Sequence, residues 1–342
     1  MKNLIKHIYL AFKWHIWINL REGNFSKPWH FIKAILKRKL FGYPYVALIE
    51  TGNYCNLQCP TCPTPASKVC RQKELMSFDN FKKVVDNIKD SVHVLLLYYT
   101  NEPLLSPDIF RMAKYAHDSG LYMEISTNAT LLSQEKTKDL FESKIDKVIV
   151  DFDGTTKEAY EQFRVGADFD QVFKNIKYFC EQKQVLKLKR PFIELQFVLN
   201  RFNQNQVEDV KRIAKELKVD RLSIRSFGLG KYAYNEEERK ALSDRFFPDT
   251  KEYQEKVRYK KEGDSLDIKN SPRKCPLAKS HLVVLVDGRV SMCCYDLAGQ
   301  HIYGNIFTRK LKDIWFDPKV KEMRKQAENR RYALCKDCSI YD

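Results

Sequence analysis

The sequence predicts an α/β fold: a partial (β/α)6 TIM-like barrel followed by a small cysteine-bearing domain of β-hairpin plus helix. Three observations predict it. Six short β-rich runs alternate with amphipathic helical patterns between residues 45 and 226, the mark of a parallel sheet wound right-handed. Polar residues end these runs, where such a fold builds its site. The ten cysteines of the 342 residues gather mainly at 55–62 and 275–338.

Residues 1–44 read as a basic, aromatic-rich helical segment. Residues 1–40 carry nine Lys or Arg and one acidic residue, Glu22, interleaved with Tyr9, Phe12, Trp14, Trp17, Phe25, Trp29 and Phe31. Helices are expected over Leu4–Leu20 and Phe31–Leu40. Lys6, His7, Lys13 and His15 interrupt the first apolar run, so it does not span a bilayer. Basic residues with Trp and Leu suit a helix lying in a membrane interface. They equally suit a helix packed on the barrel with its charges in water.

Residues 45–235 form the barrel core. Strands are expected at 45–51, 92–99, 121–127, 145–152, 191–199 and 220–226. Helices fall near 77–90, 107–118, 133–143, 168–184 and 203–217, with Ser77, Ser133 and Asn203 as N-caps. Six units are fewer than the eight of a closed barrel, which leaves a side opening. Residues 236–270 are highly charged and read as surface helix and linker. Residues 271–342 hold a hairpin signal, Asp287-Gly288 between two β-rich runs, within an auxiliary cysteine domain.

Composition narrows the classes. Hydrophobic content of 44% and aromatic content of 13% belong to a folded chain. The net charge of +16 calls for an anionic partner. No nucleic-acid-binding motif accompanies it, leaving a membrane surface or an anionic substrate.

Cys55, Cys59 and Cys62 place three thiols within eight residues. Iron–sulfur cubanes take one Cys per iron, so three ligands leave one iron open to a non-protein ligand. Structural zinc needs four ligands. Cys59-x-x-Cys62 with Cys335-x-x-Cys338 would supply them, but across a gap far longer than a zinc ribbon's. A chain of this size does not need a disulfide framework. The Cys-x3-Cys-x2-Cys spacing resembles that of radical S-adenosylmethionine (SAM) enzymes. The resemblance implies a [4Fe–4S] cluster whose open iron chelates the amino and carboxylate groups of SAM. One electron then cleaves SAM, and the 5′-deoxyadenosyl radical takes a hydrogen atom from substrate. A flavodoxin or ferredoxin would supply the electron.

The resemblance also implies roles at the strand ends. Thr61 stands where the family contacts adenine. Thr100-Asn101-Glu102-Pro103 resembles the Gly-Gly-Glu-Pro motif that receives the SAM amino group, though both glycines are replaced. Asn101 tolerates the left-handed region better than most residues. Ser126-Thr127-Asn128 resembles the strand that meets the ribose and carboxylate. Asp153-Gly154 with Arg164 resembles the Asp-Gly…Arg segment of SPASM proteins, with Arg164 a candidate fork for the SAM carboxylate. Glu102 and Asp153 are the catalytic candidates, and Gln196 a further cofactor contact.

Cys275, Cys293, Cys335 and Cys338, with Gly304-Asn305-Ile306 and Leu311-Lys312-Asp313-Ile314-Trp315, resemble a SPASM domain shortened to the Twitch form. This implies a second, fully ligated [4Fe–4S] cluster; zinc suits four cysteines too. Cys294 replaces Cys293 as ligand if the register shifts by one. Cys70 and Cys180 are given no role, and His93 and His117 are read as structural.

The resemblance implies an enzyme, cytoplasmic or peripheral at the inner face of the membrane. The first expectation is oxidation of a small polar or lipid-linked alcohol, with the second cluster accepting an electron. The alternative is a peptide-modifying SPASM enzyme. Those commonly carry a winged-helix peptide-recognition domain, for which 44 residues are too few. A non-enzymatic metal-binding protein at the membrane surface is the third reading.

Overall fold

The computed structural model describes residues 16–21, 23, 25–65, 68–336 and 338. Most of the expected Leu4–Leu20 helix therefore lies outside the described residues; α1 (Ile18–Arg21) is its described end. The barrel strands form where the alternation puts them: β1 (Val46–Ile49), β2 (Val94–Leu96), β3 (Tyr122–Thr127), β4 (Lys147–Asp151), β5 (Phe192–Leu199) and β6 (Arg221–Ser226). All pair in parallel and in chain order. The sheet does not close.

The helices between them cover the outer face. In α3 (Phe78–Ile88) the spacing Phe81, Val84, Val85, Ile88 forms one buried stripe, as a 3.6-residue period requires. It packs in the same core as Ala47, Ile49 and Leu95. Ser77 and Ser133 cap α3 and α5 (Gln134–Glu142) as expected, accepting from the N–H groups of Asn80 and Lys136. Asn203 does not cap a long helix. A 3-10 turn precedes α8 (Val207–Glu216), and the Asn203 amide instead donates to the carbonyls of Asp153 and Val198. The remaining core helices are α4 (Ile109–Asp118), α6 (Lys157–Phe163) and α7 (Phe169–Val185).

The segment 236–270 is more than a surface linker. It holds α9 (Glu236–Phe246), α10 (Lys251–Lys256) and a hairpin of β7 (Tyr259–Glu262) and β8 (Ser265–Ile268). Arg239 is 2% exposed and donates to the carbonyls of Leu229 and Leu266, tying the segment to the core.

The C-terminal hairpin changes the architecture. β9 (His281–Val284) and β10 (Arg289–Ser291) are antiparallel, and β11 (Ile302–Asn305) follows. β9 also runs parallel beside β1, with Leu48 opposite Val283. The result is one sheet of order β11-β10-β9-β1-β2-β3-β4-β5-β6. The cysteine domain, completed by α11 (Leu311–Trp315) and α12 (Pro318–Glu328), thus extends the barrel wall.

The other end of the barrel is closed by α1 and α2 (Ser26–Phe41), which starts earlier than expected and ends at Gly42, held in the left-handed region (φ +75°). Ile18 packs on Tyr122 and Phe192. Lys27 is fully buried and lies 2.7 Å from Asp146, the residue before β4. Asp146 also pairs with Arg190 and accepts from the N–H of Met123. Replacing it leaves two buried cations without their carboxylate. Asp146→Ala is expected to cost about 3–5 kcal/mol, measured as a lowered urea midpoint with an unchanged slope. A loss under about 1 kcal/mol, the scale of an exposed pair, would contradict the assignment.

Candidate active site

The loop after β1 carries Cys55, Cys59 and Cys62 across the C-terminal ends of the strands, and four neighbours clamp it. The Asn56 amide donates to the Thr130 hydroxyl (2.8 Å) and accepts from the Asn128 amide (3.0 Å). The Gln58 N–H reaches the Val165 carbonyl, and the Tyr54 carbonyl accepts from the N–H of Glu102. The Asn128 amide also lies 3.7 Å from the Cys55 sulfur. The three thiols are electrostatic neighbours of one another. Burial pushes the Cys59 thiol up to about 12, and raises Cys55 and Cys62 as well.

Glu102 is 2% exposed. One carboxylate oxygen accepts from the Thr127 hydroxyl (2.7 Å) and the Leu104 N–H, the other from the Asn128 N–H (2.8 Å). Burial nevertheless wins and pushes it up to about 7. Thr100 and Asn101 build the loop around it. The Thr100 hydroxyl donates to Glu50, and the Asn101 amide to the Thr51 hydroxyl (3.0 Å). Ser126 is half-buried on the lumen face of β3, and Thr61 lies half-buried in the cysteine loop.

Asp153 is fully buried. Arg164 Nε and Nη2 both donate to its carboxylate, at 2.6 and 2.5 Å, and the Val198 N–H donates to its other oxygen. The sequence marks Asp153 as a catalytic candidate; in the structure its carboxylate pairs with Arg164. The Nε–Nη2 edge of Arg164 faces Asp153. Gly154 makes this corner possible, since a Cβ there would stand 2.6 Å from the Tyr160 nitrogen. Gln196 donates to Asp151 (2.8 Å), whose carboxyl burial pushes up to about 6 against the pull of Arg164.

Sequence reasoning missed Glu50 and Arg71. Glu50 is fully buried and receives both Arg71 Nη groups at 2.8 and 2.6 Å. It also accepts from the Val286 N–H (2.9 Å), while Arg71 Nε reaches the Leu297 carbonyl. One ion pair therefore joins the cysteine loop to the C-terminal hairpin. An acid at a strand end and an arginine beyond Cys70 carry no motif, so nothing in the sequence linked them.

The second cysteine set surrounds a cavity of about 250 Å³, reached by Cys275, Cys293, Cys294, Cys335 and Cys338 and by Leu48, Leu96 and Tyr98 from the barrel wall. Four thiols around a cavity suit a fully ligated cubane, and four also suit zinc. Both Cys293 and Cys294 reach the cavity.

Residues 49–190 match the family model of the radical SAM superfamily, and residues 275–339 that of the SPASM iron–sulfur cluster-binding domain. The chain carries a radical SAM domain followed by a C-terminal SPASM domain. Its cofactors are SAM and a [4Fe–4S] cluster, with further iron–sulfur in the SPASM domain. The chain is 29% identical over 185 residues to a PqqA peptide cyclase of Bradyrhizobium diazoefficiens, covering 54% of the chain and 47% of the cyclase, so the match spans about half that relative. It is 24% identical over 321 residues to a Pyrococcus furiosus protein that modifies the cofactor of a tungsten-containing aldehyde ferredoxin oxidoreductase, covering 86% and 87%. The fold resembles SuiB of Streptococcus suis, solved with its precursor peptide SuiA, at a TM-score of 0.58, 17% identity and coverage of 89% and 72%.

Two cubanes bring about eight irons per chain after anaerobic reconstitution. Iron analysis of Cys59→Ala is expected to show about half of that. Native protein with about four irons and one zinc would contradict the reading of the cavity.

Proposed function

We propose that this enzyme binds SAM beside Cys55, Cys59 and Cys62 and abstracts a hydrogen atom from a peptide that enters by the open side of the barrel. The buried Glu102 next to the three-cysteine loop carries the first half of this reading. A cluster held by Cys55, Cys59 and Cys62 would supply the electron for reductive cleavage of SAM. The protein's part is to bind and orient. Glu102 holds the SAM amino group, and the loop of Thr100 and Asn101 shapes that contact. Ser126 and Asn128 meet the ribose and carboxylate. Arg164, fixed by Asp153, lends positive charge behind Cys59. Cys275, Cys293 or Cys294, Cys335 and Cys338 ligate the second cluster.

A peptide is favoured over the small or lipid-linked alcohol first expected. The sheet ends at β6, and no described strand covers that edge. An extended chain can add to such an edge through its backbone. Arg221 and Arg225 stand on this strand, both within 4 Å of Glu194. Relatives named for peptide substrates point the same way.

A carboxylate that grips an ammonium group forms only as the pH rises through the pKa of Glu102, about 7. SAM affinity, followed by equilibrium dialysis of reconstituted protein, is therefore expected to climb across that pH. Glu102→Gln should weaken binding and flatten the profile. A profile equally steep in the variant would remove Glu102 from the site. For the substrate, 5′-deoxyadenosine formation is measured with a peptide fraction and with a small-metabolite extract of the native cell. Stimulation by the peptide fraction, with a mass change in one component, is expected. Stimulation by the metabolites alone would restore the alcohol reading.

A further inference from the structure

The most unusual surface of this molecule lies on α2. Of the twelve large apolar side chains exposed among the described residues, eight fall between Trp17 and Phe41. Phe25, just before α2, and Trp29, Ile32, Leu36 and Leu40 along it are 71, 64, 43, 49 and 69% exposed. Their spacing of four, three, four and four places them on one side of the helix. The opposite side is the one that folds onto the barrel, through Lys27 and Ala34. The helix is therefore docked, and its outward face is apolar. Exposed apolar surface this continuous marks an interaction site.

Charge says what covers it. The helix has no acidic residue, and Lys33, Lys37 and Lys39 flank the stripe. At its C-terminal end Leu40 and Phe41 border a groove lined by Arg38, Lys279, Lys321 and Arg324. Arg324 Nε is buried with no hydrogen-bond partner. Lys279 is already paired with Glu328 (2.8 Å); the other three cations beside an apolar stripe suit an anionic headgroup whose acyl chains lie along the helix. Trp and Phe at the boundary are the side chains that favour the headgroup level.

We propose that the outward face of α2 docks on an anionic lipid bilayer, with Phe25, Trp29, Ile32, Leu36 and Leu40 inserted and the groove at Arg38 and Arg324 taking a lipid phosphate. This also fixes which way the enzyme faces. α2 touches the N-terminal ends of the strands: Lys27 meets Asp146, Lys33 meets Asp90 (2.5 Å), and His30 closes over Gly120. The cysteine loop lies at the other ends, roughly 20 Å away at about 3.3 Å per residue. The mouth of the barrel then points away from the lipid. Membrane docking so placed favours a substrate arriving from solution over a lipid-linked alcohol.

Full-length reconstituted protein is floated with vesicles of phosphatidylcholine alone and with phosphatidylglycerol added. Binding is expected only in the second case, weakening as salt screens the contact. Tryptophan emission should shift to the blue with bound vesicles. Trp29→Asp with Leu36→Asp, both on the surface, should lower vesicle binding at least about tenfold, since each places a charge in the apolar layer. Formation of 5′-deoxyadenosine without lipid should persist in that variant, which shows that it folds. Arg38→Glu with Lys321→Glu should abolish the preference for phosphatidylglycerol. Failure of the full chain to bind either vesicle overturns the proposal. So does sedimentation showing a dimer that Leu36→Asp dissociates, because the stripe would then be covered by a second copy. Neither outcome touches the assignment of the SAM site, which the dialysis above tests separately.

Discussion

The ion pair between Glu50 and Arg71 is the contact on which the rest of the site depends. Glu50 directly follows β1, and Arg71 lies at the far end of the loop that carries Cys55, Cys59 and Cys62. The same carboxylate accepts from Thr100 in the loop after β2 and from the Val286 N–H after β9. A buried carboxylate is costly unless its lone pairs are met, and here four donors meet them. Those donors come from the cysteine loop, the barrel and the SPASM hairpin. The cost of burying the charge thus becomes a condition that all three be in register.

That coupling explains why the two cysteine sets occupy one body. The pairing of β9 with β1 makes the auxiliary hairpin a continuation of the barrel wall. Leu48, Val283 and Leu285 then share one small apolar cluster with Tyr99 and Cys294. The second cavity is consequently lined from both sides, by auxiliary cysteines and by barrel residues such as Leu48 and Tyr98. An electron or a substrate passing between the two sites would cross packed protein and not a mobile linker.

Much of this was legible in the sequence, for physical reasons. Helix and strand periods differ, so the six alternating units and their polar ends could be read directly. Thiols at fixed short spacing carry chemistry that few other patterns share. What could not be read is long-range. Parallel pairing of β9 with β1 joins residues more than 230 positions apart, with no local signal. The buried pairs Glu50–Arg71 and Lys27–Asp146 look in sequence like ordinary surface charges. Asp153 is read from the resemblance of Asp153-Gly154 with Arg164 to the Asp-Gly…Arg segment, and no local signal shows that its carboxylate is buried against Arg164. The hairpin of β7 and β8 hid in a stretch whose charge resembled a linker. The proposed peptide substrate rests on the edge of β6, which no described strand covers, and strand edges are a property of the sheet, not of the strand.

Hydrogen–deuterium exchange on Arg71→Met tests the central claim most directly. If Glu50–Arg71 couples the cysteine loop to the SPASM hairpin, amides of residues 51–65 and 68–76 and of 284–297 should lose protection together. The barrel strands β3 to β5 should keep theirs. Faster exchange in the loop alone, with the hairpin unchanged, would contradict the account and leave the two cysteine sets independent.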